Sequence, residues 1–463
     1  MQRALPILLT LVACRAPLPP PVQPLTATPD APFRASAPAA ADASLPELTV
    51  LTSSRADGLV VWAVERPQAR VTAFGFASPW ASLAYPQPNG AALLAAHAQS
   101  ARLKGPAALA KVQGKVDLGG LGLIAEVPSE DALNFAPQFA AVMSSPPDDE
   151  AIRHAQNTLQ GQLRKISAGD QTIKDRLTHA HLFGERHPLA QKARDLAQQA
   201  NRLARSDLAD FWRERAMAGP RRFVVVGPGA EALAKRILAE LPAPTEGAKA
   251  PAPWPRPQLQ EKLRIRIVPK NTSPWIELSF PIEAPGVGAP EASMASLVLG
   301  GALSGRLGSA LRLDSGHSYA LFARYRDVSD FGLLTMSGNV SEEDVPLFIS
   351  TAQGVLSSLR DTPVTPAELT QALGTWRGQL RRGLATSRGA TLQLLGYPTW
   401  DGAPPDFAAV YRQLQAVDAA RLQTWAQAHI RPHIGSAVVF ARAQELTTLY
   451  SLGDAAQVTL DPF

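Results

Sequence analysis

An internal repeat constrains this chain more than any other feature of its sequence. "GLGLIAEVPSEDALNFAPQFAAVMSS" (120–145) parallels "FGLLTMSGNVSEEDVPLFISTAQGVLSSL" (331–359). Each reads as a strand, an acidic helix start and an amphipathic helix. "GQLRK" (161–165) parallels "GQLRR" (378–382). "LARSDLADFWRERA…RRFVVVG" (203–227) parallels "VDAARLQTWAQAH…GSAVVFA" (417–441), a helix and then a closing strand. The offsets are 210 (Gly122 to Gly332), 217 (Gly161 to Gly378) and 214 (Val225 to Val439). Three segments in one order at nearly constant offset describe two bodies built on one plan.

The length suits that plan, because 463 residues exceed one ordinary domain. Two Pro-rich stretches mark the boundaries. Residues 15–46 are rich in Pro and Ala, can bury no core, and read as an extended tether. Residues 241–258, "LPAPTEGAKAPAPWPRPQ", read as a linker. The expected domains are therefore 47–240 and 259–463. Within each body the order is strands, helix, strands, long helices, helix, strand. "DGLVVWAVE" and "ARVTAFGFA" in the first, and "KLRIRIV" and "PWIELSFPI" in the second, are rich in Val, Ile, Phe and Trp and bounded by turn residues. The fold class is α+β: two homologous α/β-sandwich halves, each a mixed or antiparallel sheet with helices packed on one face.

The first 14 residues form a separate signal. One basic residue, Arg3, precedes a short apolar run that ends in Leu11-Val12-Ala13-Cys14. That is the layout of a secretory signal, too short to span a bilayer. Its ending resembles a bacterial lipobox, in which Cys14, the one cysteine of the chain, is lipidated. The expected location is the cell envelope, lipid-anchored and facing the periplasm, with the outer membrane favoured. The net charge of +5 is not gathered into a basic cluster interleaved with aromatics, so nucleic acid is not an expected partner.

The most specific stretch is "LGGALSGRLGSALRLDSGHSYAL" (299–321). A small-residue helix start leads to Arg312. A turn follows in which Gly316 permits a sharp reversal, and a strand begins at Tyr319, which can return beside the Arg. With the duplicated plan, this stretch resembles the insulinase/pitrilysin-type metallopeptidase family, which includes the mitochondrial processing peptidases. The family's C-terminal pattern is filled by Gly300, Gly301, Arg306, Leu307, Leu311, Arg312, Gly316 and Tyr319, with Gly305 where a Ser is common. The resemblance implies that Arg312 and Tyr319 donate hydrogen bonds to a bound peptide near its scissile carbonyl.

Active members of that family carry H-x-x-E-H on a helix of the first half. Two imidazoles one turn apart bind zinc, and the glutamate takes a proton from the bound water. The corresponding helix is "NGAALLAAHAQSARL" (89–103). Its motif positions are Leu93 for the first ligand, Ala96 for the base, and His97. Residues 151–168, where a later glutamate would complete the ligand set, contain no Asp or Glu. No zinc is expected in this chain, and no other cofactor. His179 and His181 lie two apart on a helix and so point away from each other. Phe183-Gly184…His187-Pro188 resembles a structural segment of the family. Pro432 separates His429 from His433. "VVVGPGAEALAK" (224–235) imitates a dinucleotide-binding turn, but the Pro-rich linker follows where a second parallel strand is needed.

Together these readings imply a non-catalytic subunit of a heteromeric zinc metallopeptidase. It would supply Arg312 and Tyr319 in trans to a homologous, zinc-bearing partner that hydrolyses peptides held as an added strand at a sheet edge. The alternative is a catalytically inert scaffold or peptide-binding lipoprotein of the same fold.

Overall fold

A computed structural model describes residues 45–463 apart from 57–58, 84, 87, 89, 105–110, 118–119, 168–169, 188–189, 244–247, 253–260, 271–273, 284–288, 301–304, 314–317, 329–330, 398–399, 401, 443–446 and 459–463. Cys14 and the tether up to residue 44 lie outside the described residues.

The first half contributes β1 (Leu51–Ser54), β2 (Val60–Glu65), β3 (Val71–Ser78), β4 (Lys111–Asp117), β5 (Gly120–Pro128) and β6 (Arg222–Gly227). Its helices are α1 (Ala91–Lys104), α2 (Ala132–Ser144), α3 (Asp149–Ser167), α4 (Asp170–Phe183), α5 (Ala193–Ala200), α6 (Arg205–Phe211) and α7 (Ala230–Glu240). The second half contributes β7 (Leu263–Pro269), β8 (Trp275–Glu283), β9 (Ser318–Val328), β10 (Phe331–Val340), β11 (Gly435–Ala441) and β12 (Asp454–Gln457). Its helices are α8 (Pro290–Gly300), α9 (Arg306–Gly308), α10 (Val345–Asp361), α11 (Pro366–Gly383), α12 (Ser387–Leu395), α13 (Phe407–Gln415) and α14 (Ala419–His429).

The duplication is visible in the topology. One six-stranded sheet runs β1-β2-β6-β3-β5-β4 and the other β12-β7-β11-β8-β10-β9. In each, the second and third strands are parallel and the next three pairings are antiparallel. Only the outermost strand breaks the correspondence. β1 comes from before its sheet and pairs antiparallel, whereas β12 comes from the chain's far end and pairs parallel.

The register corrects one alignment. Leu121, Leu123 and Ala125 face their own half's core, as do Leu334 and Met336 in the other half. The two strands are therefore related by an odd offset, whereas the offset of 210 that aligns Gly122 with Gly332 is even. Side chains alternate along a strand, so a slip of one residue exchanges its faces. The 214 offset of the closing strands keeps phase, with Phe223 and Val225 matching Ala437 and Val439.

Helices pack on each sheet as expected, and they lie on both faces. One face does pack on the half's own helices. In the first half Phe74 lies 5.1 Å from Phe135 and 5.6 Å from Phe139 between ring centroids. The opposite face is covered by a helix from the other half. α12 lies on the first sheet, where Ala390, Leu394 and Leu395 meet Trp62, Ile124, Val224 and Val226. α4 lies on the second, where Leu177 meets Val268, Val438 and Phe440. Gly75 of β3 admits the close approach, since a Cβ there would stand 2.6 Å from the Thr391 methyl.

Buried cations fasten both exchanged helices. Arg222, 4% exposed, donates from Nη1 to the carbonyls of Leu394, Leu395 and Tyr397 at 3.0, 3.0 and 2.7 Å. Its guanidinium sits 4.5 Å from the Trp62 ring centroid and 4.2 Å from that of Trp400. A cation at a helix C-terminus also complements the helix dipole. Arg388 of α12 pairs with Glu126 at 2.9 Å. On the other side, Lys174 of α4 meets Glu277 of β8 at 2.5 Å. Burial pushes the Glu277 carboxyl above its ordinary range, partly offset by Lys174.

Candidate functional site

The stretch with the specific pattern is built as a clamp around a turn. α8 ends at Gly300, and Gly305 caps the three-residue α9. A π-helical turn covers Ser309–Leu313, and β9 begins at Ser318. Leu307 and Leu311 are fully buried in the second half's core, which fixes the turn from below. Arg306 fixes it from the side. Its Nε donates to Glu368 Oε1 at 2.6 Å, and its Nη1 donates to Ser358 Oγ at 3.0 Å.

Glu368 also closes the α11 capping box. Its carboxylate accepts from the Thr365 amide at 2.8 Å, while the Thr365 hydroxyl accepts from the Glu368 amide at 3.2 Å. Burial acts to raise the Glu368 carboxyl. The Arg306 and Thr365 hydrogen bonds outweigh it and hold the group below its ordinary value. Arg306 was legible as a motif position but not as an anchor. The signal was present in Thr365-Pro-Ala-Glu368, a helix-start signature whose glutamate sits within reach of a cation.

Arg312 lies on the π-helical turn and Tyr319 is the second residue of β9, the helix-end and strand-start positions expected from the sequence. Their side chains, and the whole of Gly301 and Gly316, lie outside the described residues. β9 is the edge of its sheet.

The counterpart helix in the first half is α1. Leu93 and His97 lie one turn apart and are both half-buried. Ala96, 2% exposed, packs against β4, where a Cβ on Gly114 would stand 3.2 Å from the Ala96 Cβ. A glutamate in place of Ala96 and directed the same way would meet that strand. Among the described residues, no group of three or more His, Cys, Asp or Glu is placed to hold a metal ion.

The histidines of 179–187 are packed around the seam between α4 and the second sheet. His181 Nδ1 lies 2.6 Å from Ser436 Oγ. Phe183 stacks on His187 at 4.7 Å and meets Phe331 at 5.4 Å. Burial, with Arg266 and Arg264 nearby, lowers His181 from 6.5 to about 3. Burial, with His179 nearby, lowers His187 to about 4. His429 ends α14, with its Nδ1 3.0 Å from the Glu283 carbonyl. The dinucleotide-like turn leads from β6 into α7, after which the chain leaves for the second sheet.

The depressed histidines make a pH prediction. Above 6.5 they are neutral in the folded and unfolded chain alike. As pH falls from 6.5 toward 4, the unfolded chain takes up protons that the folded chain refuses, so stability is lost across that window. The midpoint of urea unfolding should fall over this range. It should fall less steeply in the double variant His181→Asn/His187→Asn; an unchanged slope would overturn the assignment.

Comparison with known proteins agrees with this architecture. The family description "Peptidase M16 inactive domain" matches residues 202–374, which include the whole Arg306–Tyr319 segment. A zinc protease of Bacillus subtilis, YmxG, is 29% identical over 90 residues, 19% of this chain. The chain thus aligns with 22% of that relative's length. A peptidase M16 inactive domain from Pseudomonas fluorescens superposes with a TM-score of 0.67 at 19% identity, over 86% of this chain and 99% of that one. A putative M16-like peptidase from Alicyclobacillus acidocaldarius gives 0.70 at 17% identity, over 87% and 100%. A chain of Complex III2 from Candida albicans gives 0.71 at 14% identity, over 86% and 97%. These structures share the fold. With the duplicated halves, the chain has the fold of M16-type peptidases, and over residues 202–374 it is similar to that family's inactive domain.

Proposed function

We propose that this chain is the non-catalytic subunit of a two-subunit zinc metallopeptidase. It presents Arg312 and Tyr319 to a peptide held at the zinc of a homologous partner. One observation carries the reading. The turn that follows Arg306 is braced by two buried leucines and a half-buried Arg–Glu pair, while the corresponding helix of the first half carries Leu93 and Ala96 at the motif positions. A braced segment in a chain whose zinc helix is unequipped suits a subunit that assists chemistry performed elsewhere. The chain itself holds no cofactor in this reading, and the zinc belongs to the partner. Arg and Tyr are donors suited to the negative charge that develops on a scissile carbonyl.

The test is reconstitution with a homologue that carries H-x-x-E-H. Each chain alone should leave a quenched fluorescent peptide intact, and the mixture should cleave it. Equal cleavage by the partner alone would remove this chain from the chemistry. A scaffold function is the second reading, favoured by the likeness to a chain of Complex III2; it predicts a complex whose rate ignores Arg312 and Tyr319.

We further propose that the chain is held at the envelope by lipid on Cys14, with the Pro/Ala-rich residues 15–46 as tether. Expressed in a Gram-negative host, it should incorporate labelled fatty acid, and Cys14→Ser should abolish incorporation. Equal labelling of the two would refute the anchor.

A further inference from the structure

The strand that follows the braced turn carries a feature the function above does not use. Along β9, Leu321, Ala323 and Tyr325 turn toward the second half's own core. Phe322, Arg324 and Arg326 turn the other way and are exposed. An exposed Phe between solvent and sheet, 50% accessible, is an apolar contact left open. Arg324 has no hydrogen-bond or ion-pair partner among the described residues. Arg326 acts on the buried Glu277 only through its field.

Among the described residues, the strand's backbone is open as well. β9 pairs with β10 on one side and ends its sheet on the other. Among the described residues, no other segment bonds to the outward backbone groups of 321–327. β4, the matching edge of the first sheet, also turns cationic side chains outward, at Lys111 and Lys115. An unpaired edge recruits an extended chain through backbone hydrogen bonds, and its alternate side chains choose which chain.

We propose that β9 binds an extended acidic peptide segment, which adds to the sheet beyond its present edge. Side chains two apart on the incoming strand lie opposite and diagonal to Arg324 and Arg326. Carboxylates at those positions neutralise both guanidiniums, and an apolar side chain one step further covers Phe322. The segment carrying Arg312 and Tyr319 runs directly into β9, so occupation of this edge rests on the function proposed above and gives it a substrate class: peptides with acidic residues at alternate positions.

The test needs no partner, so its outcome is separate from that of reconstitution. A short fluorescent peptide of alternating Glu and Thr is titrated with the full chain and followed by anisotropy. It should bind, weaken in high salt, and bind at least tenfold more tightly than a Lys/Thr peptide, the scale expected of two partly exposed charge pairs. The double variant Arg324→Glu/Arg326→Glu should weaken the acidic probe about tenfold and strengthen the basic one, with unfolding midpoint unchanged. N-methylation of alternate amides in the probe should abolish binding, because strand addition needs those donors. Equal affinity of the acidic probe for wild type and double variant would overturn the proposal and leave the arginines as guards against edge-to-edge aggregation. If the probe binds as expected while the reconstituted complex ignores Arg312, the peptide edge stands and the trans-acting role falls.

Discussion

Arg222→Ala should destabilise the chain by about 4 kcal/mol, among the largest losses available to a single substitution outside the apolar core. The side chain ties three carbonyls at the end of α12 to the first sheet and fills the gap between Trp62 and Trp400. Its removal takes a donor from those carbonyls, of which Leu394 keeps the Tyr397 amide, and leaves a void between two indoles. Arg222→Lys should recover only part of the loss. An ammonium keeps the charge but cannot reproduce a planar group stacked between two rings. Urea unfolding followed by circular dichroism measures both. An alanine variant with the wild-type midpoint would mean that α12 is held without the arginine. At the matching position of the second sheet stands Ser436, bonded to His181 of α4. That seam relies instead on the buried pair Lys174–Glu277.

The second large effect concerns rate. In the reconstituted complex, Arg312→Ala or Tyr319→Phe should lower turnover by roughly 10²–10³, about 3–4 kcal/mol of transition-state stabilisation. Assembly and the partner's zinc content should not change. Arg312→Lys should also be poor, because a point charge lacks the guanidinium's fork of donors. Steady-state cleavage, zinc content and melting temperature separate the outcomes. A packing role predicts a nearly silent Tyr319→Phe, and a shift in stability rather than rate for Arg312→Ala. Arg306→Ala is an informative companion. It leaves Arg312 in place but removes the clamp on Glu368 and Ser358, so rate should fall through loss of positioning.

Much of this architecture was legible in the residues. The strands announced themselves as runs of Val, Ile, Phe and Trp, and the repeat predicted two halves on one plan, because the same pattern at the same spacing meets the same sterics. The odd-numbered slip between β5 and β10 was not legible. Identity of letters favoured aligning Gly122 with Gly332, whereas burial follows alternation. The exchanged helices were partly legible. β6 and β11 are buried at every residue, and strands apolar on both faces imply cover on both. What the sequence did not say was which helix provides the cover, since α4 and α12 have amphipathic patterns that name no partner. The braced turn was visible as a motif, but its bracing depends on Glu368, distant in sequence from Arg306 and fixed beside it only by tertiary packing.

The exchange of helices has a consequence for biosynthesis. The chain emerges from its first residue onward, and the face of the first sheet formed by Trp62, Ile124, Val224 and Val226 exists once β6 is complete. Its cover, α12, begins roughly 160 residues later, an interval of about ten to thirty seconds at common elongation rates. Throughout that interval the nascent first half holds an apolar sheet open to water and cannot finish its core by itself. A ribosome that stalls before Leu395 therefore releases a sticky product, not a small stable domain. The two halves reach the native state together or not at all.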